Sequence, residues 1–150
     1  MTIAVSVVFV CTGNMCRSPF AEHVIRHVAP DWLDACSAGL TALPGGTAAP
    51  ACIRAARRFG VDLTPHRTRP LEEHILRQAS GIYVFDHWQR TNIEQLFPDV
   101  GSKIHLLGTF VNAPDGEIPD PLGGTEDSVV RCYETIEKAC RALSQRLQVP

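Results

Sequence analysis

Hydrophobic positions along the chain follow two alternating rhythms. Residues 3–10, Ile-Ala-Val-Ser-Val-Val-Phe-Val, form an unbroken apolar and largely β-branched run that ends at Cys11. Such a run suits a central strand covered on both faces of a parallel sheet. Past Thr12-Gly13-Asn14 the period lengthens: Phe20, Val24, Ile25 and Val28 recur at helical spacing, with Ser18 placed to cap the helix and Pro19 at its first position. The pattern then predicts a helix over 47–59 closed by Gly60, a strand over 82–85, a helix over 88–97 and a strand over 103–107. In the last stretch Val129, Tyr133, Ile136, Cys140, Leu143 and Leu147 step by four and three behind the acidic pair Glu126 and Asp127, the pattern of a long helix packed on the sheet. Segments 39–46 and 109–124 carry turn residues without periodicity and read as loops.

Strands alternating with helices imply βαβ units and a parallel sheet. The predicted fold class is α/β: a three-layer, doubly wound, mostly parallel four-stranded sheet flanked by helices, with an anion-binding loop after the first strand. In such sheets ligands bind beyond the carboxyl ends of the strands, where Cys11 falls.

Composition narrows the function classes. A chain of 150 residues with 45% hydrophobic content is long enough for one core, so residues 1–150 read as a single domain. The formal charge of −2 comes from 14 basic and 16 acidic residues well mixed along the chain, which gives no footprint for nucleic acid. The first apolar run lacks a basic lead-in and is too short to span a bilayer, so no membrane association and a cytoplasmic location are expected. Six cysteines without a C-x-x-C pair describe neither a disulfide framework nor a zinc site, and reduced thiols with no metal follow.

The candidate chemistry lies in Cys-x5-Arg. Six cysteines and 12 arginines would produce about half a match by chance, and the chain holds three. Cys52 to Arg58 and Cys140 to Arg146 lie inside helical patterns, where the backbone amides are already committed. Only Cys11-Thr-Gly-Asn-Met-Cys-Arg17 links a buried strand to a helix, so that its amides can converge on an anion at the positive end of the helix. The same dipoles, with Arg17, favour thiolate over thiol at Cys11. The planar guanidinium of Arg17 suits two phosphate oxygens and the charge that develops on them. Gly13 suits close backbone approach, Asn14 tolerates a left-handed conformation, and Ser18 is placed to donate to the Cys11 sulfur. Cys16 is expected either as a small filler or as the partner of Cys11 in a protective disulfide under peroxide.

The stretch Val8-Phe-Val-Cys-Thr-Gly-Asn-Met-Cys-Arg-Ser-Pro19 resembles the signature of the low-molecular-weight protein tyrosine phosphatases. The likeness continues through Ser37-Ala-Gly39, Pro65-His-Arg67, Phe85-Asp86 and Asp120-Pro121. It implies Cys11 as nucleophile, Arg17 as phosphate clamp and Asp120 as general acid. Thr12, Gly13, Asn14, Met15, Cys16, Arg17 and Ser18 would enclose the phosphate, and Asn14, Ser18, Ser37 and His66 would brace the loop. It also implies a phosphorylated protein as substrate, binding of phosphate, vanadate or sulfate in the loop, no cofactor, and a monomer or weak homodimer. From the residues alone Asp120 is less distinct, because Asp99 and Asp115 also follow prolines.

The chain departs from that family at the substrate walls, where aromatic positions are replaced by Leu43 and Leu122. Relatives that prefer phosphoarginine share the Asp-Pro-x-Gly-Gly ending of Asp120-Pro121-Leu122-Gly123-Gly124 but carry a threonine where this chain has Met15. A bulky apolar Met15 offers a guanidinium no hydrogen-bond partner, which favours a phosphotyrosyl substrate. An arsenate reductase of the same fold needs two further cysteines in a mobile segment, and residues 60–125 contain none. A binding module without catalysis would lack one of Cys11, Arg17 and Asp120, and all three are present. Cys36, Cys52, Cys132 and Cys140 are expected in the core, Asp86 as structural, and Trp32, Tyr83 and Trp88 as buried aromatics.

Overall fold

In the computed structural model residues 5–29 and 31–147 are described; Ile3 and Ala4 of the first predicted strand lie outside them. Four strands, β1 (Val5–Cys11), β2 (Leu33–Gly39), β3 (Gly81–Val84) and β4 (Ile104–Leu106), form one all-parallel sheet in the order β2-β1-β3-β4. Among the described residues five α-helices connect or follow them: α1 (Arg17–Val28), α2 (Pro50–Arg57), α3 (Glu73–Gln78), α4 (His87–Leu96) and α5 (Glu126–Leu147). None among the described residues is long and apolar enough to cross a membrane.

The period of two along β1 explains the three layers. Val7 and Phe9 enter a core shared with α1, α2 and α5, whereas Val8 and Val10 enter a second core with Ile75, Leu76 and Ile93 on the other face. All four side chains are at most 1% exposed, so the run is apolar throughout because both faces are covered. Fully burying a side chain such as Phe9 contributes about 1.5–3 kcal/mol.

The sequence pattern places β1, β3, β4, α2, α4 and α5 to within a few residues. It misses β2, whose Leu-Asp-Ala-Cys-Ser-Ala-Gly is poor in strand formers, and α3, whose six residues are too few to show a period. The small residues of β2 have a purpose. A Cβ on Gly39 would lie 2.8 Å from the Asn14 amide nitrogen and 2.9 Å from the Gly13 carbonyl carbon, so glycine lets the strand end touch the loop after β1.

Several local expectations are corrected. α1 begins at Arg17 with Cys16 in the capping position, and Ser18 does not cap it, because its hydroxyl is drawn to Cys11 and Asn14. Pro19 is accommodated as the third helical residue, since amides of the first turn have no intrahelical acceptor. Trp88 is 53% exposed rather than buried, in the first turn of α4, where the neighbouring Gln89 takes the buried position. α5 packs chiefly against α1, α2 and the short helical turn Leu107–Val111 rather than directly on the sheet, with Phe20 and Tyr133 stacked at 3.8 Å between centroids.

Candidate active site

The carboxyl end of β1 delivers Cys11 into the turn that opens α1. Its Sγ is buried, with Ser18 Oγ at 2.9 Å and the Asn14 amide donating at 3.3 Å. The amides of Gly13, Met15 and Cys16 donate to no acceptor among the described residues, which leaves them for a ligand at the positive end of the helix. The mouth is a small cleft of about 40 Å³ lined by Cys11, Gly13, Met15, Cys16, Arg17, Asp120 and Leu122. Met15 and Leu122 are 38% and 42% exposed at its rim; Leu43, 80% exposed, does not line it.

Asn14 holds the loop together. Its φ of 56° is left-handed, a conformation that asparagine tolerates better than most residues. The side-chain oxygen accepts from the Arg69 amide at 3.0 Å, which fixes the orientation of the carboxamide. Nδ2 then donates to Ser18 Oγ at 2.8 Å and to Ser37 Oγ at 3.0 Å. Because Ser18 Oγ already accepts from Asn14, its own proton is free to point at the Cys11 sulfur. His66 Nε2 lies 2.8 Å from the Asn14 carbonyl, and since a carbonyl only accepts, Nε2 is the protonated nitrogen. Asn14, Ser18, Ser37 and His66 thus form one hydrogen-bonded support under the loop. Gly13 is less constrained: a Cβ there would meet only the Met15 side chain, Sδ at 3.7 Å and Cγ at 3.8 Å.

Arg17 is 3% exposed and held on several sides. Its Nη1 donates to the Ile118 carbonyl at 3.0 Å and to Asp86 Oδ2 at 3.3 Å, Nη2 lies 3.8 Å from Asp120 Oδ2, and the guanidinium sits 5.5 Å from the centroid of Phe85. Asp120 is half exposed, with Oδ1 accepting from the Leu122 amide at 3.0 Å. Its loop is anchored to the sheet, since Ile118 donates to the Phe85 carbonyl at 2.8 Å and His87 bonds Glu117 and the Asp115 carbonyl, both at 2.9 Å.

Four supports went unrecognised in the sequence. Asp86 has a structural role, capping α4 through the Gln89 amide, but its other oxygen also orients Arg17. Gln89 is fully buried and bridges the Phe85 amide and Thr12 Oγ1. The Tyr133 hydroxyl donates to the Cys16 carbonyl at 3.0 Å, and the Ala49 amide donates to the Met15 carbonyl at the same distance. For Asp86 a signal existed, a carboxylate just past the carboxyl end of β3, where such sheets bind ligands. The partners of Gln89 and Tyr133 exist only once α4 and α5 have docked.

The other cysteines are thiols in mostly buried settings, and Cys36 is half-buried. Burial pushes Cys132 up to about 12 and Cys140 higher still. Hydrogen bonding to Cys52, then burial, raises Cys16, whose thiol neighbours Cys52 and Tyr133.

A thiol, a guanidinium and a carboxylate therefore share one cleft. The family profile described as low molecular weight phosphotyrosine protein phosphatase matches residues 6–149. A protein-arginine-phosphatase of Bacillus subtilis is 30% identical, covering 95% of this chain and 96% of its own. The low molecular weight protein-tyrosine-phosphatase Wzb of Salmonella typhi is 31% identical, covering 94% and 93%. The crystal structure of the tyrosine phosphatase Wzb from Escherichia coli in complex with sulphate superposes with a TM-score of 0.88 at 30% identity, covering 95% of this chain and 97% of that one. The chain belongs to the low molecular weight protein tyrosine phosphatase family, an all-parallel α/β enzyme family that hydrolyses phosphate esters.

Proposed function

We propose that the chain removes phosphate from protein phosphotyrosine through a phosphocysteine on Cys11. The observation that carries this reading is the cleft itself: Cys11 Sγ, with hydrogen bonds available from Ser18 and Asn14, shares it with Arg17 and Asp120. Phosphate binds in the loop amides with two oxygens on the Arg17 guanidinium, and sulfate or vanadate occupies the same place. The Cys11 thiolate attacks phosphorus in line with the leaving oxygen, and Asp120 gives that oxygen its proton as the bond breaks. Water, deprotonated by the Asp120 carboxylate, then attacks the phosphocysteine, which releases phosphate and returns Cys11 as thiolate. The chain itself supplies every group these steps use.

Met15 at the rim favours a phosphotyrosyl over a phosphoarginyl group, because its side chain is bulky and has no acceptor for a guanidinium. With Leu122 in place of an aromatic wall, selectivity for the ring is reduced by about 0.5–1.5 kcal/mol per lost ring pair. The second reading, a protein-arginine phosphatase, is favoured by the Leu122-Gly123-Gly124 ending and by the 30% identity to the Bacillus subtilis enzyme. Residues 1–150 act as one domain, as a monomer or weak homodimer in the cytoplasm. Hydroperoxide oxidises Cys11 to a sulfenic acid, which condenses with the Cys16 thiol to a disulfide and water.

Cys11→Ser should abolish hydrolysis of p-nitrophenyl phosphate while vanadate still binds, and Asp120→Ala should slow it by roughly 10²- to 10⁴-fold. Full activity in Cys11→Ser would sink the mechanism. Faster release of phosphate from phosphoarginine than from phosphotyrosine peptides would move the substrate to the second reading.

A further inference from the structure

Beside the residues that hold Asn14, and sharing no lining residue with the cleft, lies a second cavity of about 320 Å³. At roughly 30 Å³ per water it has room for a small anion and several waters. It is lined by side chains from α1 (Glu22, His23, Arg26), from β2 (Cys36, Ser37) and from the 65–69 loop (His66, Arg67, Arg69). Three guanidiniums stand against one carboxylate there, in a chain whose overall formal charge is −2. The carboxylate is already taken, since Glu22 pairs with Arg26 at 3.0 Å, and Arg26 also donates to the Ala35 carbonyl at 2.7 Å. Arg67 donates to the carbonyls of Thr64 and His66. The exposed Arg69 guanidinium is engaged by no acceptor among the described residues; only its backbone amide is used, on Asn14.

Two further donors face the same space. Ser37, 2% exposed, accepts from Asn14 Nδ2, so its own proton is left for an acceptor in the cavity. His66 spends its Nε2 proton on the Asn14 carbonyl, and Nδ1 becomes a second donor on protonation. Burial first, then Arg26, His66 and His27, hold His23 below its ordinary value against the opposing pull of Glu22.

We propose that this cavity is a second oxyanion site, taking a phosphate group that is either free inorganic phosphate or a second phosphoryl group carried on the substrate. Arg69 supplies the charge and the fork of donors, with Ser37 and His66 as the deeper contacts. Ser37, His66 and the Arg69 amide are also three of the contacts that hold Asn14, so an anion here acts directly on the support of the catalytic loop. The site stands on its own geometry; only the source of free phosphate as product rests on the phosphatase reading above.

Calorimetric titration with inorganic phosphate tests it. The protein should take up two equivalents, and one of them should remain when benzylphosphonate saturates the cleft. Arg69→Gln keeps the backbone amide on Asn14 and should weaken the remaining equivalent by about tenfold, and Arg69→Glu should abolish it. A single equivalent that benzylphosphonate displaces, or a second one indifferent to Arg69→Gln and Arg69→Glu, would overturn the proposal. If instead benzylphosphonate fails to bind while phosphate still titrates in an Arg69-dependent way, the phosphatase reading fails and this one stands. Comparison of kcat/KM for singly and doubly phosphorylated peptides separates the sources. A preference for the doubly phosphorylated peptide that Arg69→Gln removes assigns the site to substrate, and equal rates alongside Arg69-dependent phosphate uptake assign it to the free anion.

Discussion

Asn14→Ala tests the idea that one side chain holds the loop from Cys11 to Arg17. The substitution deletes the bonds to Ser18 at 2.8 Å, to Ser37 at 3.0 Å and from the Arg69 amide at 3.0 Å. At about 1 kcal/mol net for each, these amount to about 3 kcal/mol. Alanine must also adopt the left-handed φ of 56°, which costs a further 1 kcal/mol or so. Asn14→Gly deletes the same bonds without that strain, so the two variants should differ by about 1 kcal/mol. In urea, with a slope of about 2 kcal/mol/M, the unfolding midpoint should fall by roughly 2 M for alanine and about 1.5 M for glycine. Loss of the donor that orients the Ser18 proton should lower kcat for p-nitrophenyl phosphate by about tenfold in both. An Asn14→Ala midpoint within about 0.5 M of wild type would refute the reasoning about the side chain. Equal midpoints for alanine and glycine would refute the reasoning about the backbone.

Three other outcomes follow from the same contacts. Asp86→Asn keeps a capping side chain on α4 but weakens the bond to Arg17 at 3.3 Å, so kcat/KM should fall by about tenfold while the melting temperature stays within a degree or two. A loss of stability without loss of kcat/KM would limit Asp86 to capping. Tyr133→Phe keeps the stack on Phe20 but removes the hydroxyl from the Cys16 carbonyl, which should cost about 1 kcal/mol, a fall of about 2–4 °C in scanning calorimetry. Burial raises Cys132 from 9.0 to about 12, so the folded state holds a proton that the unfolded chain releases first. The resulting stability is complete below about pH 9 and is lost as pH rises toward 12, at up to about 1.4 kcal/mol per pH unit for each such group. Urea midpoints measured from pH 8 to 10.5 should therefore decline above pH 9, less steeply in Cys132→Ala, and a flat profile would contradict the burial argument.

The legibility of this chain depended on where a residue's partners lie in sequence. β1 and the loop after it were legible because an apolar strand, a turn and a helix start are local features, and Cys11, Asn14, Arg17 and Ser18 fall within eight positions of one another. The decoy pairs at Cys52 and Cys140 could be dismissed for the same reason, since helical periodicity is local. β2 was not legible, because its composition answers to the loop it touches, with Gly39 set by the approach of Asn14. The cap of α1 was misassigned because Ser18 has a stronger use, between Cys11 and Asn14, than the end of its own helix.

Long-range contacts also change what counts as the site. Asp86, Gln89 and Tyr133 lie 69 to 117 positions from the loop residues they bond, and each is a cap, a core amide or a core aromatic when read locally. Their effect on the loop differs from that of Asn14, because each also holds its own helix: Asp86 and Gln89 hold the first turn of α4, and Tyr133 joins α5 to α1 through Phe20. The loop is thus tied to helices on both faces of the sheet, α4 on one and α5 on the other. A loop tied on both sides cannot shift as a unit without moving one of the two cores. The unpaired loop amides and the Cys11 sulfur are therefore held in place by the fold itself, and under the proposed phosphatase function the energy of binding phosphate need not be spent on ordering the loop.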